Sequence, residues 1–360
     1  MVIRPVVMMW AAVLGCLLLP SALAEPWIAV QTGSKCVACH VSPTGGGKRT
    51  PFGAAMAQTA LSAGTLTGVW NGIITDRFSV GADARGNLAS TRIPQRDDRF
   101  EFALEEALIY AEFHLIADKL SLYVDERVGP GGATNREAYA LFWFKDKRFY
   151  ARAGRMFLPY GWRIEDDTAF IRQVPGINYA TPDDGMEVGY ESPSVSLNLA
   201  VTNGTAGAGE VDRGKQFSLR GSYIQPKWRV GASMNFNDVS QSKRTMGNVF
   251  AGLATGPVNW LFEIDYVDDR GFATGPRRQW IGFAEANYWL RKGHNLKLTY
   301  EFFDPDDDVE EDERNRYSVV YEYFPMTFVQ LIGGWRVGDG IEQSPQQNTD
   351  EIFLQLHTYF

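Results

Sequence analysis

Cysteine is scarce: the 360 residues hold three, and one of them, Cys16, lies in a segment expected to be removed. The remaining pair, Cys36 and Cys39, cannot build a disulfide framework, so no small stapled domain is expected. Basic charge is short as well. Thirty-five Lys and Arg stand against forty-three Asp and Glu, a net charge of -8, which argues against a nucleic-acid partner whose phosphates need a basic face. After residue 24 no apolar run approaches the roughly 20 residues of a transmembrane helix, which excludes helical membrane spans. No phosphate-binding loop and no convincing nucleophile–base set is present, so enzyme chemistry of those kinds has little support.

The chain begins with a basic Arg4, an apolar stretch over 6–19, and Ala22-Leu23-Ala24 before Glu25. That pattern predicts a secretory signal peptide at 1–24 and a mature chain starting at Glu25. Gly15-Cys16 offers a lipoprotein junction as the other reading, although Leu17-Leu18-Leu19 is unlike a solvated tether.

Ten Trp, fifteen Tyr and twenty-two Phe accompany abundant Gly and few helix-period stretches. From about Phe78 the chain repeats one unit, an alternating run of roughly 9 to 12 residues followed by a tight turn or a long polar loop. In Phe217-Ser218-Leu219-Arg220-Gly221-Ser222-Tyr223 the apolar side chains share one parity, and 228–236, 260–266 and 296–302 keep the same period. Tight turns are expected near 117–119, 145–147, 192–194, 225–227, 256–257, 292–294 and 325–326. Long loops are expected at 92–98, 129–136, 158–184, 203–214, 238–245, 268–278, 304–314 and 337–350. This alternation predicts an all-β fold, a transmembrane antiparallel β-barrel of about 16 strands over 67–360, with both chain ends on the short-turn, periplasmic side of the outer membrane. A soluble sandwich would show short strands too, but it does not explain the strict short/long alternation. In the last strand Ile352, Leu354, Leu356, Thr358 and Phe360 share a parity. It resembles the terminal strand by which outer-membrane proteins are recognised for insertion.

Cys36-Val37-Ala38-Cys39-His40 reads as an attachment site for one covalently bound haem c. The thiols of Cys36 and Cys39 add to the two vinyl groups, and His40 becomes the proximal iron ligand. A redox disulfide is the other reading of the two cysteines, whereas a zinc site would be short of a ligand. The segment 25–66 is too short to enclose a haem alone, and a barrel of this size leaves an aqueous lumen, so the segment is expected to enter or cap the barrel. Thr50 as N-cap, Pro51 at the first helical position and Gly64 beyond the end predict one short helix over 52–62. Gly45-Gly46-Gly47 would let backbone pass a flat ligand, and Lys48 and Arg49 would pair with propionates; a solvated loop is the alternative for these five residues.

The sixth iron position has two distal candidates, Met56 and His114, beside an open or water-bound site. His114 and His357 both fall on the lumen-facing parity near the periplasmic rim, two strands apart and roughly 10 Å from each other before stagger. A satisfied wall histidine is the alternative for each, and His294 falls in a periplasmic turn.

Gln31-Thr32-Gly33, the Cys36–His40 motif and Phe52-Gly53 resemble the N-terminal segment of the monohaem cytochrome-porin fusions of the bacterial outer membrane, whose best-known members oxidise ferrous iron. The detailed similarity covers only residues 31–53, although the order of parts spans the whole chain. The resemblance implies electron transfer through one haem between an extracellular redox substrate and a periplasmic carrier such as a soluble cytochrome, with outer-membrane lipid around the barrel. Ser42-Pro43-Thr44-Gly45-Gly46-Gly47 departs from the iron-oxidising pattern, which leaves the donor open. The acidic run over 304–313 lies on the outside in this topology and reads as a cation concentrator or as a solvated loop. The rival function is a porin-like transport or binding protein whose haem-bearing plug senses redox state or gates the pore. A third is an enzyme at an open haem site.

Overall fold

Period-two patterning becomes strands throughout. A computed structural model describes residues 25–66, 70–210, 212–239, 242–272 and 275–360, so the expected signal peptide lies outside the described residues. A short β1 (Ile73–Thr75) is followed by β2 (Phe78–Arg92), β3 (Arg99–Ile116), β4 (Leu120–Gly129), β5 (Thr134–Phe144) and β6 (Phe149–Met156). Next come β7 (Asp183–Glu191), β8 (Val195–Thr202), β9 (Gln216–Gln225), β10 (Trp228–Val239), β11 (Ser242–Thr255) and β12 (Val258–Asp269). The wall is completed by β13 (Arg277–Arg291), β14 (His294–Asp304), β15 (Arg314–Met326), β16 (Val329–Asp339) and β17 (Asp350–Tyr359).

The sixteen strands β2 to β17 pair antiparallel with their neighbours, and β17 closes onto β2 through pairs such as Tyr359↔Asp83 and His357↔Arg85. Closure leaves no edge strand, which is what a sheet needs to span hydrocarbon. The outward parity is apolar, with Phe142, Val188, Leu219, Phe262, Ile264 and Leu354 exposed. Aromatic side chains gather at both rims of that face. Tyr266–Trp280 and Tyr300–Tyr317 lie at the long-loop end, and Phe142–Phe144 and Tyr223–Trp228 at the short-turn end. No described helix is long and apolar enough to cross a membrane; the strands do so.

Most turns fall where the alternation places them, and three of the long connections differ. Strands β10 and β11 run on through most of 238–245, because Arg244 turns inward to Asp269 at 2.9 Å and to the carbonyls of Val174 and Pro175. The connection after β4 is shorter than expected, since Thr134 and Asn135 already pair with Arg127 and Glu126. The third difference matters most for function. Residues 157–182 do not stand outside the barrel but fold into the lumen around a short helix, α4 (Phe170–Gln173) in this chain. The physical reason is composition: Phe157, Leu158, Tyr160, Trp162, Ile164 and Ile171 are all buried, and a solvated loop has nowhere to put them.

From the short-turn end the segment 25–66 fills the lumen. It contains α1 (Pro26–Thr32), α2 (Cys36–Cys39) and α3 (Pro51–Met56), the last running on into a wider turn over Ala57–Leu61. Trp27 and Val30 of α1 join Tyr160 and Trp162 of the inward loop and Phe250 and Leu261 of the wall in one apolar core. Plug, loop and wall therefore share a core inside the barrel.

Candidate functional site

The Cys36–His40 motif forms a single helical turn, with the His40 amide donating to the Cys36 carbonyl at 2.9 Å. The chain then makes a hairpin, closed by the Val41 amide on the Lys48 carbonyl at 2.9 Å and the Thr50 amide on the Cys39 carbonyl at 3.0 Å. At its tip Gly45, Gly46 and Gly47 all have positive φ, at 90°, 79° and 63°. The tip abuts the wall so closely that a side chain at Gly47 would run into the Tyr123 hydroxyl. Thr50 caps α3 as its sequence suggests: its hydroxyl accepts from the Gly53 amide at 3.1 Å and donates to the Ala38 carbonyl at 2.6 Å. This clamps α3 onto the cysteine turn.

The residues 42–47 that depart from the iron-oxidising pattern bind the plug to the barrel. Arg152 lies wholly buried between Glu137 at 3.2 Å and Glu187 at 2.8 Å, and it also reaches Ser42 Oγ at 3.3 Å and Thr44 Oγ1 at 3.5 Å. Lys35 binds Glu191 at 2.7 Å and the carbonyls of Ser192 and Val195 in the β7–β8 turn. Glu25 is held by Lys297 at 3.2 Å, which also meets Glu322 at 3.0 Å. Burial pushes the Glu25 carboxyl well up, against the pull of Lys297.

Cys36, Cys39, His40 and Met56 line one cavity of about 770 Å³, enclosed by α1, α3, the inward loop and strands β9 and β10. Both thiols are free and half-buried. His40 is buried, and its Nδ1 has no hydrogen-bond partner. Burial, then Arg49, holds the imidazole down at about 3, so it is neutral and available as a ligand. Burial raises the Cys39 thiol.

Five cations line this cavity, Lys35, Arg49, Arg163, Arg220 and Arg229, against the single carboxylate of Glu25. Arg229 spends donors on the Ala29 and Ser34 carbonyls, and Arg49 stacks over Tyr359 at 4.5 Å. Lys48 does not reach the cavity, because Glu112 on the wall holds it at 3.4 Å.

The histidines separate clearly. His114 does not line the cavity; it is part-exposed on β3 with Nε2 3.6 Å from Glu112. His357 is fully buried and satisfied on both nitrogens, by Gln330 at 2.9 Å and Asp83 at 2.8 Å. His294 stacks on Tyr323 at 4.5 Å at the short-turn rim. Arg220 and Arg229 fall on the parity opposite the outward apolar side chains of their strands, whereas no periodicity marks Trp162 and Arg163. The signal was present in the aromatic and apolar density of the longest loop.

Beyond the inward loop lies a second, polar chamber of about 1470 Å³, lined by ten carboxylates and five cations. The loop separates the two spaces with a single run of chain, Trp162 and Arg163 on the cavity side, Glu165, Asp166 and Asp167 on the chamber side. Trp162 is pinned by Glu263 at 2.6 Å and by the Phe262 carbonyl at 3.0 Å, and Asp166 by Arg316 and Arg336, each at 3.0 Å. On the long-loop face Asp306, Asp307 and Asp308 bring their carboxylates within 4.8 Å of one another, beside Arg277 and Arg278.

No protein-family model matches the chain, and neither does any curated protein. Solved structures of similar fold include OprB of Pseudomonas putida, 8% identical with TM-score 0.62, matching 79% of this chain and 94% of that one. The anion-selective porin of Comamonas acidovorans is 10% identical with TM-score 0.59, matching 79% and 99%. OmpT, an outer-membrane protein of Vibrio cholerae, is 12% identical with TM-score 0.58, matching 80% and 99%. At these identities the likeness speaks for the fold alone, and the fold is that of an outer-membrane porin-type barrel of sixteen strands. Such a barrel has membrane lipid around it.

Proposed function

We propose that this chain is an outer-membrane electron-transfer protein in which the plug carries one haem c inside the barrel. The observation that carries the reading is the convergence of Cys36, Cys39 and His40 on one lumenal cavity whose other charged lining is almost wholly cationic. The fit is chemical as well as spatial: two free thiols, a neutral imidazole with an unpartnered nitrogen, and an excess of positive charge suit a flat group bearing two carboxylates. Cys36 and Cys39 would hold the haem covalently, His40 would ligate its iron, and Met56 lines the same space. When bound, the haem supplies a one-electron couple, so a donor outside loses one electron and a periplasmic carrier such as a soluble cytochrome gains it.

The chain's own residues define the route. Short turns, both chain ends and the plug lie on the periplasmic side, and the polar chamber opens toward the outside. The inward loop stands between the chamber and the cavity, which adjoin at Glu25. Ferrous iron is one donor that the motif resemblance suggests, and ten chamber carboxylates would concentrate cations of that kind.

The second reading is transport or binding, with the plug acting as a gate. The barrel's likeness in fold to an anion-selective porin favours it. Proteoliposomes enclosing an electron acceptor separate the two. An external donor should reduce the enclosed acceptor with the wild-type protein and not with the Cys36→Ala, Cys39→Ala variant. Equal rates would remove the electron-transfer reading, and open conductance of the unmodified protein in a planar bilayer would favour the porin.

A further inference from the structure

Resting on the haem reading above, we infer that Arg163 and Arg220 form the site that takes the two carboxylates of the bound group, fixing its carboxylate edge toward the inward loop. Of the five cations on the cavity, Lys35 is neutralised by Glu191, Arg229 is engaged by plug carbonyls, and Arg49 is stacked on Tyr359. Arg163 leaves two buried donors unspent against one, Nε, on Arg229, and Arg220 stands beside it. Arg163 is buried and spends only Nη2, on the Leu158 carbonyl at 2.8 Å; its Nε and Nη1 are buried without a partner. Arg220 spends only Nε, on the Gly161 carbonyl at 3.1 Å, and stacks over Phe250. Neither has a carboxylate within ion-pair distance among the described residues.

A guanidinium out of water with unspent donors is costly unless an anion meets it. Arg163 is such a group, and the half-buried Arg220 is brought beside it, because Arg220 grips the backbone of Gly161 just two residues before Arg163. Each presents a planar fork suited to a carboxylate. The thiols line the same cavity next to Lys35, which binds the β7–β8 turn at Val195, whereas Arg220 stands three pairs further along β8, opposite Asn198. A group held by thioethers at that end and by arginines at the other is oriented along the barrel, its vinyl edge toward the periplasm and its carboxylate edge toward the outside. Arg163 and Arg220 are positioning residues in this scheme, and they also set the local charge.

The test uses the full-length, haem-loaded protein in detergent. Covalent haem per chain and midpoint potential are measured for wild type, Arg163→Gln, Arg163→Lys and Arg220→Gln, with resonance Raman of the propionate bending modes. The expected result is retained covalent haem, a downward shift in potential and altered propionate modes in both glutamine variants, with Arg163→Lys recovering the potential in part. Losing a positive charge beside the group favours its oxidised form, which sets the sign. Should Arg163→Gln fail to assemble, the half-buried Arg220→Gln gives the same reading. Haem attached with wild-type potential and wild-type propionate modes in the glutamine variants overturns the clamp and leaves the haem reading standing. A wild-type chain without covalent haem overturns both.

Discussion

One methyl group at Gly53 should loosen the plug. Gly53 sits in α3 where the helix presses on the cysteine turn, and a Cβ there would lie 2.9 Å from both the Cα and the carbonyl carbon of Cys39, and nearer still to its oxygen. These are backbone atoms, so no flexible tip can move aside. To restore ordinary contact with that oxygen the helix must retreat by about an ångström, which strains the Thr50 amide bond to the Cys39 carbonyl. Overpacking of this kind costs about 1–3 kcal/mol, and the weakened hydrogen bond adds about 1 kcal/mol. The helix preference of Ala over Gly returns about 1 kcal/mol. The net, about 1–3 kcal/mol, raises the population of undocked plug roughly five- to 150-fold. Trypsin reads that population, because Lys48 and Arg49 are 3% and 5% exposed and become cleavable only when the hairpin opens. Gly53→Ala in detergent should therefore be cut at 48–49 faster by that factor. Gly86→Ala, where nothing lies within 4 Å of the added methyl, is the control and should match wild type. If Gly53→Ala is cut no faster than Gly86→Ala, the clamp between α3 and the cysteine turn does not exist as described.

Arg152→Ala leaves Glu137 and Glu187 buried without their cation, and should lower stability by about 3–5 kcal/mol in urea unfolding while raising channel conductance as Ser42 and Thr44 lose their anchor. Met56→Ala should change the absorption spectrum of the loaded protein, because Met56 lines the cavity, whereas His114→Ala should leave it unchanged, because His114 does not. Burial alone would raise the Asp166 carboxyl, but Arg336 and Arg316 hold it below its ordinary value. A depressed carboxyl contributes its stability above the unfolded value of about 3.9 and loses it only as pH falls through the lower folded value. The rise in channel conductance caused by Asp166→Asn, which frees the inward loop, should therefore be the same at pH 5 as at pH 7.

The wall was legible because a strand's period of two survives in the sequence wherever one face meets lipid and the other water. Turns at 145–147 and 292–294 fell in place for that reason, and closure alone put His357 two strands from His114. The β15–β16 turn came two residues later than Pro325-Met326 suggests, since Met326 still pairs with Val329 across a register shift. The cysteine motif was legible because it is local. What the linear pattern did not carry was convergence. Arg163 and Arg220 meet only because residues 157–182 turn inward, and a loop without periodicity gives no parity from which to read direction. Its buried aromatics were the one available clue.

The central claim is that the plug carries a covalent haem at Cys36 and Cys39, and the mass of the tryptic peptide spanning that motif tests it most directly. Protein made in cells competent for haem attachment should yield that peptide with one haem added, and Cys36→Ala, Cys39→Ala should yield it bare. A wild-type peptide without haem, with its two thiols free or joined as a disulfide, would contradict the account.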